Sequence, residues 1–366
     1  MSQDLPQVQE DIEIEVKRRY AEGAEQVEAS LCCPVSYDDT YLKILPQEII
    51  EKDYGCGDPS KYAAEGDTVL DLGSGGGKIC YILSQLVGAT GKVIGVDFNE
   101  TMLALARKYQ DEMAEKVGYA NVEFRKGKIQ DLRLGFDKAE AWLQANPINN
   151  IEDLQRFEVE CERLRREEPL IETNSVDLIV SNCVLNLVKP EDKLHLFRDM
   201  YRVTAPGGRA VISDIVCDRN PTPEILADPE LWSGCISGAF REDLFVEMFA
   251  EAGFQGMEIL ARQDEAWQVI DGVEFRSMTV RAWKPQASLS MEKSMNHVVF
   301  QGPWKSATDD QGRIFKRGER TPVSEAEYQQ ILDGKSGYAN HLIPVTGGTS
   351  KPSSGGCCGA STTSCC

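Results

Sequence analysis

Val69-Leu70-Asp71-Leu72-Gly73-Ser74-Gly75-Gly76-Gly77 reads as a short buried strand that runs into a glycine turn, and the residues after it decide the fold. Lys78 to Val87 carries apolar residues at 79, 82, 83 and 86, a helical period. Lys92-Val93-Ile94-Gly95-Val96 is a second strand, ending on Asp97. A helix over about 100–117, burying Leu103, Ala106, Met113 and Val117, is expected next. Further strands are expected at Val122–Arg125, Val176–Ser181 and Arg209–Ile215. Alternating strands and helices predict a parallel, doubly wound α/β sheet of the Rossmann type over 61–216. The alternation is interrupted between Leu132 and Glu172. There Asn149-Asn150 offers an N-cap, and Ile151, Leu154, Phe157, Cys161 and Leu164 follow at helical spacing. One inserted amphipathic helix with a charged outer face is predicted, with Cys161 packed on its apolar stripe.

Four further pieces flank this block. Residues 1–60 begin as an acidic helical stretch and hold Cys32-Cys33-Pro34 and Tyr54-Gly55-Cys56-Gly57. Residues 217–289 lose the strict alternation and predict a smaller α+β domain, with a helix at Arg241–Ala252 and a strand at Phe275–Trp283. Residues 290–346 predict a β-rich extension that starts at His297-Val298-Val299-Phe300. Residues 347–366, rich in Gly, Ser and Thr with Cys357, Cys358, Cys365 and Cys366, predict a disordered tail.

The 366 residues carry 59 acidic and 39 basic side chains, a formal net charge of −20. That balance argues against a nucleic-acid surface, which needs clustered Lys and Arg. Twelve cysteines are too sparse for a disulfide scaffold and many for an inert chain. The first twenty residues lack the apolar stretch of a signal peptide, and no run of about 18 apolar residues is present, so no membrane span is expected. A cytoplasmic, reducing location follows as the expectation, and with it thiols that bind a soft element or carry electrons.

The glycine turn fits neither common phosphate fingerprint. Lys78 stands where G-x-G-x-x-G requires glycine, and no G-x-x-x-x-G-K-[ST] occurs. Asp71, two residues before the first glycine, would repel a pyrophosphate and attract a cation. S-adenosylmethionine has the matching chemistry: a sulfonium, an ammonium and a ribose diol, with no phosphate. Asp97, at the next strand end, can accept from both ribose hydroxyls.

Tyr54-Gly55-Cys56-Gly57, Asp71-Leu72-Gly73-Ser74-Gly75, Ser181-Asn182-Cys183-Val184-Leu185-Asn186-Leu187-Val188 and Leu231-Trp232-Ser233-Gly234-Cys235 occur in that order. Together they resemble the arsenite S-adenosylmethionine methyltransferases over roughly residues 15–285, and more loosely to 345. The resemblance implies a class I methyltransferase fold and an arsenic-binding domain over 217–289. It implies that Cys183 and Cys235 hold trivalent arsenic, with Cys56 close by as a third thiol. It also implies that Cys56 and the Cys32/Cys33 pair return electrons through a disulfide, with Cys32 favoured over Cys33 and the choice open. Thioredoxin or glutathione would restore the thiols. For the cofactor, it implies Tyr54, Asp71, Gly73, Ser74, Gly75 and Asp97, with Phe98 and Ile129 beside the adenine and Asn182 near the methionine portion. Ile129 can equally be core. The partners implied are trivalent arsenicals and the thiol reductant, with no nucleic acid and no membrane, and the chain is expected to be a monomer.

Two departures from the family pattern stand out. The 132–172 insertion is longer than the usual connection, and no acidic residue directly precedes Cys235. Cys80 also matches the family but sits on a helix flank, as a structural residue would. Cys217 has no assigned role. His195, His297 and His341 are scattered and read as surface or packing residues. Two alternatives remain. A small-molecule C- or O-methyltransferase would share the glycine turn and Asp97 but leave Cys56, Cys183 and Cys235 without a purpose. A non-enzymatic thiol protein that binds soft metals would leave Asp71 and Asp97 unused.

Overall fold

The computed structural model describes residues 12–25, 37–52, 54–286 and 296–345. Cys32, Cys33 and the four tail cysteines lie outside these residues, as does the expected disordered tail. The strands of the main sheet are β1 (Thr68–Leu72), β2 (Lys92–Asp97), β3 (Val122–Lys126), β4 (Val176–Asn182), β5 (Thr204–Cys217), β6 (Phe240–Arg241), β7 (Gln255–Arg262), β8 (Gln268–Ile270) and β9 (Val273–Trp283). Their order is β3-β2-β1-β4-β5-β9-β7, with β6 against β5 and β8 against β9. The first five are parallel, while β9 runs antiparallel to β5 and β7 antiparallel to β9.

Alternation along the strands builds a core on each face. Val69 packs on one side with Ile79, Leu83, Leu103 and Val211, and Leu70 and Leu72 pack on the other with Phe197, Phe245 and Phe249. The strand order reverses between β1 and β4, the place where an open α/β sheet leaves a crevice at its carboxyl edge. The turn after β1 folds over that edge, because the N–H groups of Gly73 and Ser74 both donate to the Val96 carbonyl, at 2.8 and 3.1 Å.

Two expectations change. The helix expected over 100–117 is two helices, Glu100–Lys108 and Gln110–Val117. Tyr109 breaks it at φ −104°, with its hydroxyl drawn 2.5 Å from Glu48, and Val117 is only half-buried. The insertion also holds two helices, Phe136–Ala145 and Ile151–Glu167, which close on each other through Leu134, Ala139, Cys161 and Leu164. In the second helix Ile151 is 61% exposed and Leu154 lies at the surface, while capped Asp153 takes the buried place of the first turn. The strands of the 217–289 segment, β6 to β9, extend the main sheet.

The β-rich extension has β10 (His297–Phe300), β11 (Ser306–Thr308), β12 (Ile314–Lys316), β13 (Arg320–Pro322) and β14 (Leu342–Pro344), with a helix at Glu325–Leu332. It has its own core of Val298, Phe300, Phe315, Val323 and Tyr328. Asp310 fastens it to the main sheet by accepting from the Gly256 N–H at 2.6 Å.

Candidate active site

A cleft opens at the carboxyl edge of β1, β2 and β4. Tyr54, Asp71, Gly73, Ser74, Gly75, Asp97, Phe98, Ile129 and Asn182 all line it, so the structure brings together every residue that the sequence nominates for the cofactor. Asp97 ends β2, buried. Its carboxylate accepts from the Asn99 N–H at 2.8 Å and the Gly75 N–H at 2.9 Å. Burial raises its pKa, and these N–H groups, with that of Phe98, pull in the opposite direction. Asp71 is also buried and accepts from the Cys80 thiol at 3.2 Å. Burial and that carboxylate push the Cys80 thiol well up, so it remains a donor. Cys80 is thus structural in a specific sense: it orients a cleft carboxylate.

The lining fits a cofactor of the chemistry inferred from the sequence. Gly73 has φ +73°, and a Cβ there would lie 2.5 Å from Val184, so only glycine leaves the wall open. The Ser74 hydroxyl is buried without a hydrogen-bond partner among the described residues, as a group awaiting a ligand would be. Ile129 belongs both to the cleft wall and to the main core. Asn182 lines the cleft, but its amide is committed to the 54–57 loop. Its Oδ1 accepts from the Cys56 and Gly57 N–H groups, and its Nδ2 donates to the Gly57 carbonyl and the Tyr37 hydroxyl.

The far wall of the cleft is Cys183, directly after β4. Behind it the thiols converge. Sγ of Cys56, Sγ of Cys183 and a carboxylate oxygen of Asp214 lie within 4.8 Å of one another. The Cys235 thiol adjoins that of Cys183 and donates to the Cys183 carbonyl at 2.9 Å. Cys56 and Cys235 are buried and Cys183 is partly exposed. Cys183 and Cys235 are in no disulfide. Two thiols are less acidic than usual. For Cys183 the bond to Cys235 lowers the pKa, but the bond to Cys56, burial and the nearby Asp214 outweigh it. For Cys235 the bond to Cys183 and burial both raise it.

Three residues here were not foreseen. Tyr20, from the helix Ile12–Glu25, lines the cleft and puts its hydroxyl 4.0 Å from Cys235 Sγ. Asp214, fully buried on β5, accepts from the N–H groups of Leu185, Asn186 and Ile215, and burial lifts its pKa to about 6. Lys193, mostly buried, donates to the Gly238 carbonyl and stands 3.8 Å over the Phe240 ring, and burial brings its pKa down to about 8. An acid inside the apolar run Val211–Val216 was the available signal for Asp214. None of the three histidines lines the cleft. Cys161 packs between the inserted helices, and Cys217 donates to the Phe240 carbonyl at 3.3 Å from within the core.

Comparison with known proteins agrees with this geometry. The chain is 30% identical over 338 residues to the arsenite methyltransferase of Aquipseudomonas alcaligenes, covering 88% of this chain and 86% of that protein. It belongs to the arsenite methyltransferase family. The human arsenite methyltransferase is also 30% identical, over 86% of this chain and 77% of its own. A methyltransferase-domain family matches residues 63–171 and 166–253, and a domain of unknown function (DUF8838) matches 289–362. Among solved structures, CrArsM, an arsenic (III) S-adenosylmethionine methyltransferase from Chlamydomonas reinhardtii, superposes with a TM-score of 0.57 at 27% identity, covering 86% of this chain and 96% of that one. Among the described residues no helix is long and apolar enough to cross a membrane.

Proposed function

We propose that this methyltransferase moves methyl groups from S-adenosylmethionine to trivalent arsenic held on thiols, converting arsenite to mono- and dimethylated arsenicals in arsenic detoxification. The observation that carries this reading is Cys183, which is at once a wall of the cofactor cleft and the centre of a three-thiol cluster. Such a cluster suits a soft, thiophilic acceptor. An organic acceptor would need neither Cys56 nor Cys235, and a metal-sequestering protein would need no cleft.

The cofactor supplies an electrophilic methyl group on a sulfonium. Asp97 would take the ribose diol, Asp71 the cationic portion, and the glycine turn would leave room for both. Tyr54, Gly73, Ser74, Gly75, Phe98, Ile129 and Asn182 complete the walls. Cys183 and Cys235, with Cys56, exchange their S–H bonds for As–S bonds, each proton leaving with an arsenic hydroxide as water. Arsenic would then stand at the cleft wall, where its lone pair can take the methyl group as the methyl C–S bond breaks and S-adenosylhomocysteine leaves. Burial keeps water away, and positioning supplies most of the rate.

Alkylation of the lone pair oxidises arsenic by two electrons. Cys56 with Cys32 or Cys33 would return that pair by forming a disulfide, which thioredoxin or glutathione would reduce again. A thiol reductant of that kind fits a reducing cytoplasm, and we read the enzyme as acting there as a monomer. The test is a parallel assay of reduced protein with S-adenosylmethionine and arsenite, monomethylarsenite or an organic methyl acceptor. Methylated arsenicals are expected from the first two. Well-folded, reduced enzyme that makes none would refute the assignment.

A further inference from the structure

The segment Ser181–Val188 does more than contribute one thiol. Asn182 and Asn186 flank Cys183, and each ties down the backbone of a different cysteine. Asn182 Oδ1 accepts from the Cys56 N–H at 2.9 Å. Asn186 Nδ2 donates to the Cys235 carbonyl at 3.1 Å and to the Ile215 carbonyl at 2.7 Å. We propose that Asn182 and Asn186 are paired positioning residues that hold Cys56 and Cys235 against Cys183, so that side-chain amides set the spacing of the thiols. The proposal rests on reading the three thiols as the arsenic site.

Three features support it. First, Cys183 and Cys235 both have φ +62°, a left-handed conformation that a cysteine keeps only when its surroundings hold it. Cys183 is held by its N–H to the Ser213 carbonyl at 2.8 Å, and Cys235 by the Asn186 amide. Second, glycine stands where each asparagine seats. A Cβ on Gly55 would lie 2.2 Å from Asn182 Nδ2, and one on Gly238 would lie 1.9 Å from the Asn186 carbonyl oxygen. The loops carrying Cys56 and Cys235 therefore approach this segment as closely as backbone allows.

Third, Asn186 is fully buried and its Oδ1 has no hydrogen-bond partner among the described residues. A leucine would fill the same space without that penalty, so the side chain is explained by its donor. With Cys56 and Cys235 anchored at the backbone, rotation about the Cα–Cβ bonds is the main freedom left to their sulfurs. A three-coordinate acceptor then meets ligands that are already gathered.

Direct arsenite binding tests this without methyl transfer. Trp232, buried three residues before Cys235, supplies the fluorescence signal. Asn186→Ala is expected to weaken arsenite binding about 10-fold, the scale of one lost buried hydrogen bond. S-adenosylmethionine affinity should stay within about twofold, because Asn186 does not line the cleft. Placed in a Cys235→Ala background, Asn186→Ala should cost less than about twofold more, since its effect runs through that cysteine. An equal loss in both backgrounds, or no loss in either, would overturn the proposal. If Asn186→Ala does not fold, Asn182→Ala combined with Cys56→Ala decides by the same criterion. A protein that shows the coupling but yields no methylated product would refute the proposed function and leave the pairing standing.

Discussion

Asp97→Asn separates the cofactor site from the thiol site. In the native protein the two carboxylate oxygens of Asp97 face different donors, the Asn99 N–H at 2.8 Å and the Gly75 N–H at 2.9 Å. An asparagine can offer a carbonyl oxygen to only one of them, and its NH₂ must then face an N–H. It also loses the negative charge that strengthens hydrogen bonds from a ribose diol. Bonds to charged groups contribute about 1.5–3 kcal/mol and neutral ones about 0.5–1.5 kcal/mol. Losing the charge and one acceptor should therefore weaken S-adenosylmethionine binding by about 2–4 kcal/mol, roughly 30- to 700-fold. Isothermal titration would measure this, with arsenite affinity as the control, expected to stay unchanged.

The same variant carries a pH signature. If Asp97 takes the ribose diol as proposed, binding requires the ionised carboxylate, and burial raises its pKa. Affinity for the cofactor should therefore fall on acidification at a higher pH than for an ordinary aspartate, and Asp97→Asn should lack that limb. Cofactor binding within about threefold of wild type, or a surviving acid limb in the variant, would show that Asp97 does not hold the ribose.

Other outcomes follow from the site. Cys183→Ser and Cys235→Ser should abolish methylation of every arsenical, whereas Cys56→Ser should spare an already monomethylated trivalent substrate; product analysis by chromatography would show whether the three losses differ. Gly73→Ala should destabilise the fold by about 2–5 kcal/mol, from a left-handed alanine and an overlap with Val184, and weaken cofactor binding. Adding Val184→Ala should restore part of that stability in denaturant unfolding, and no recovery would mean the overlap is not the cause. Cys80→Ala should raise KM for S-adenosylmethionine more than KM for arsenite, because its thiol holds Asp71.

Much of this site was legible because its signals are local. The strand–turn–helix around Gly73 and the carboxylates at two strand ends follow from periodicity and spacing, and the cysteine strings from their order. What stayed hidden depends on pairing across the fold. Nothing in the strand pattern of Phe275–Trp283 says that it joins β5, yet that antiparallel pairing carries the chain past Cys217 without starting a new sheet. Asp214 lies within an expected strand, and only the register, which sets its neighbour Ser213 opposite Asn182, brings it beside the thiols. Tyr109 broke a continuous helical pattern through a contact with Glu48, 61 residues away. In the insertion, the partner helix Phe136–Ala145 decided which part of the apolar stripe was covered.

The acidity of the thiols bears on which soft species this site accepts. A divalent cation such as Cd²⁺ needs thiolates, so each coordinating cysteine must first give up a proton to solvent. Burial makes that harder at both Cys183 and Cys235, and so does the contact of Cys183 with Cys56 and of Cys235 with Cys183. Arsenous acid makes no such demand, because each As–OH group carries away the thiol proton as water when an As–S bond forms. Raised thiol pKa values therefore penalise the cation and leave the arsenical nearly untouched. Between about pH 6.5 and 8.5, arsenite affinity should change little, while Cd²⁺ affinity should rise about tenfold per pH unit for each thiol that must ionise. Competition titrations across that range would measure both slopes. Parallel slopes would mean that arsenite also waits for thiolates, and the selectivity would then have to come from the spacing of Cys56, Cys183 and Cys235 alone.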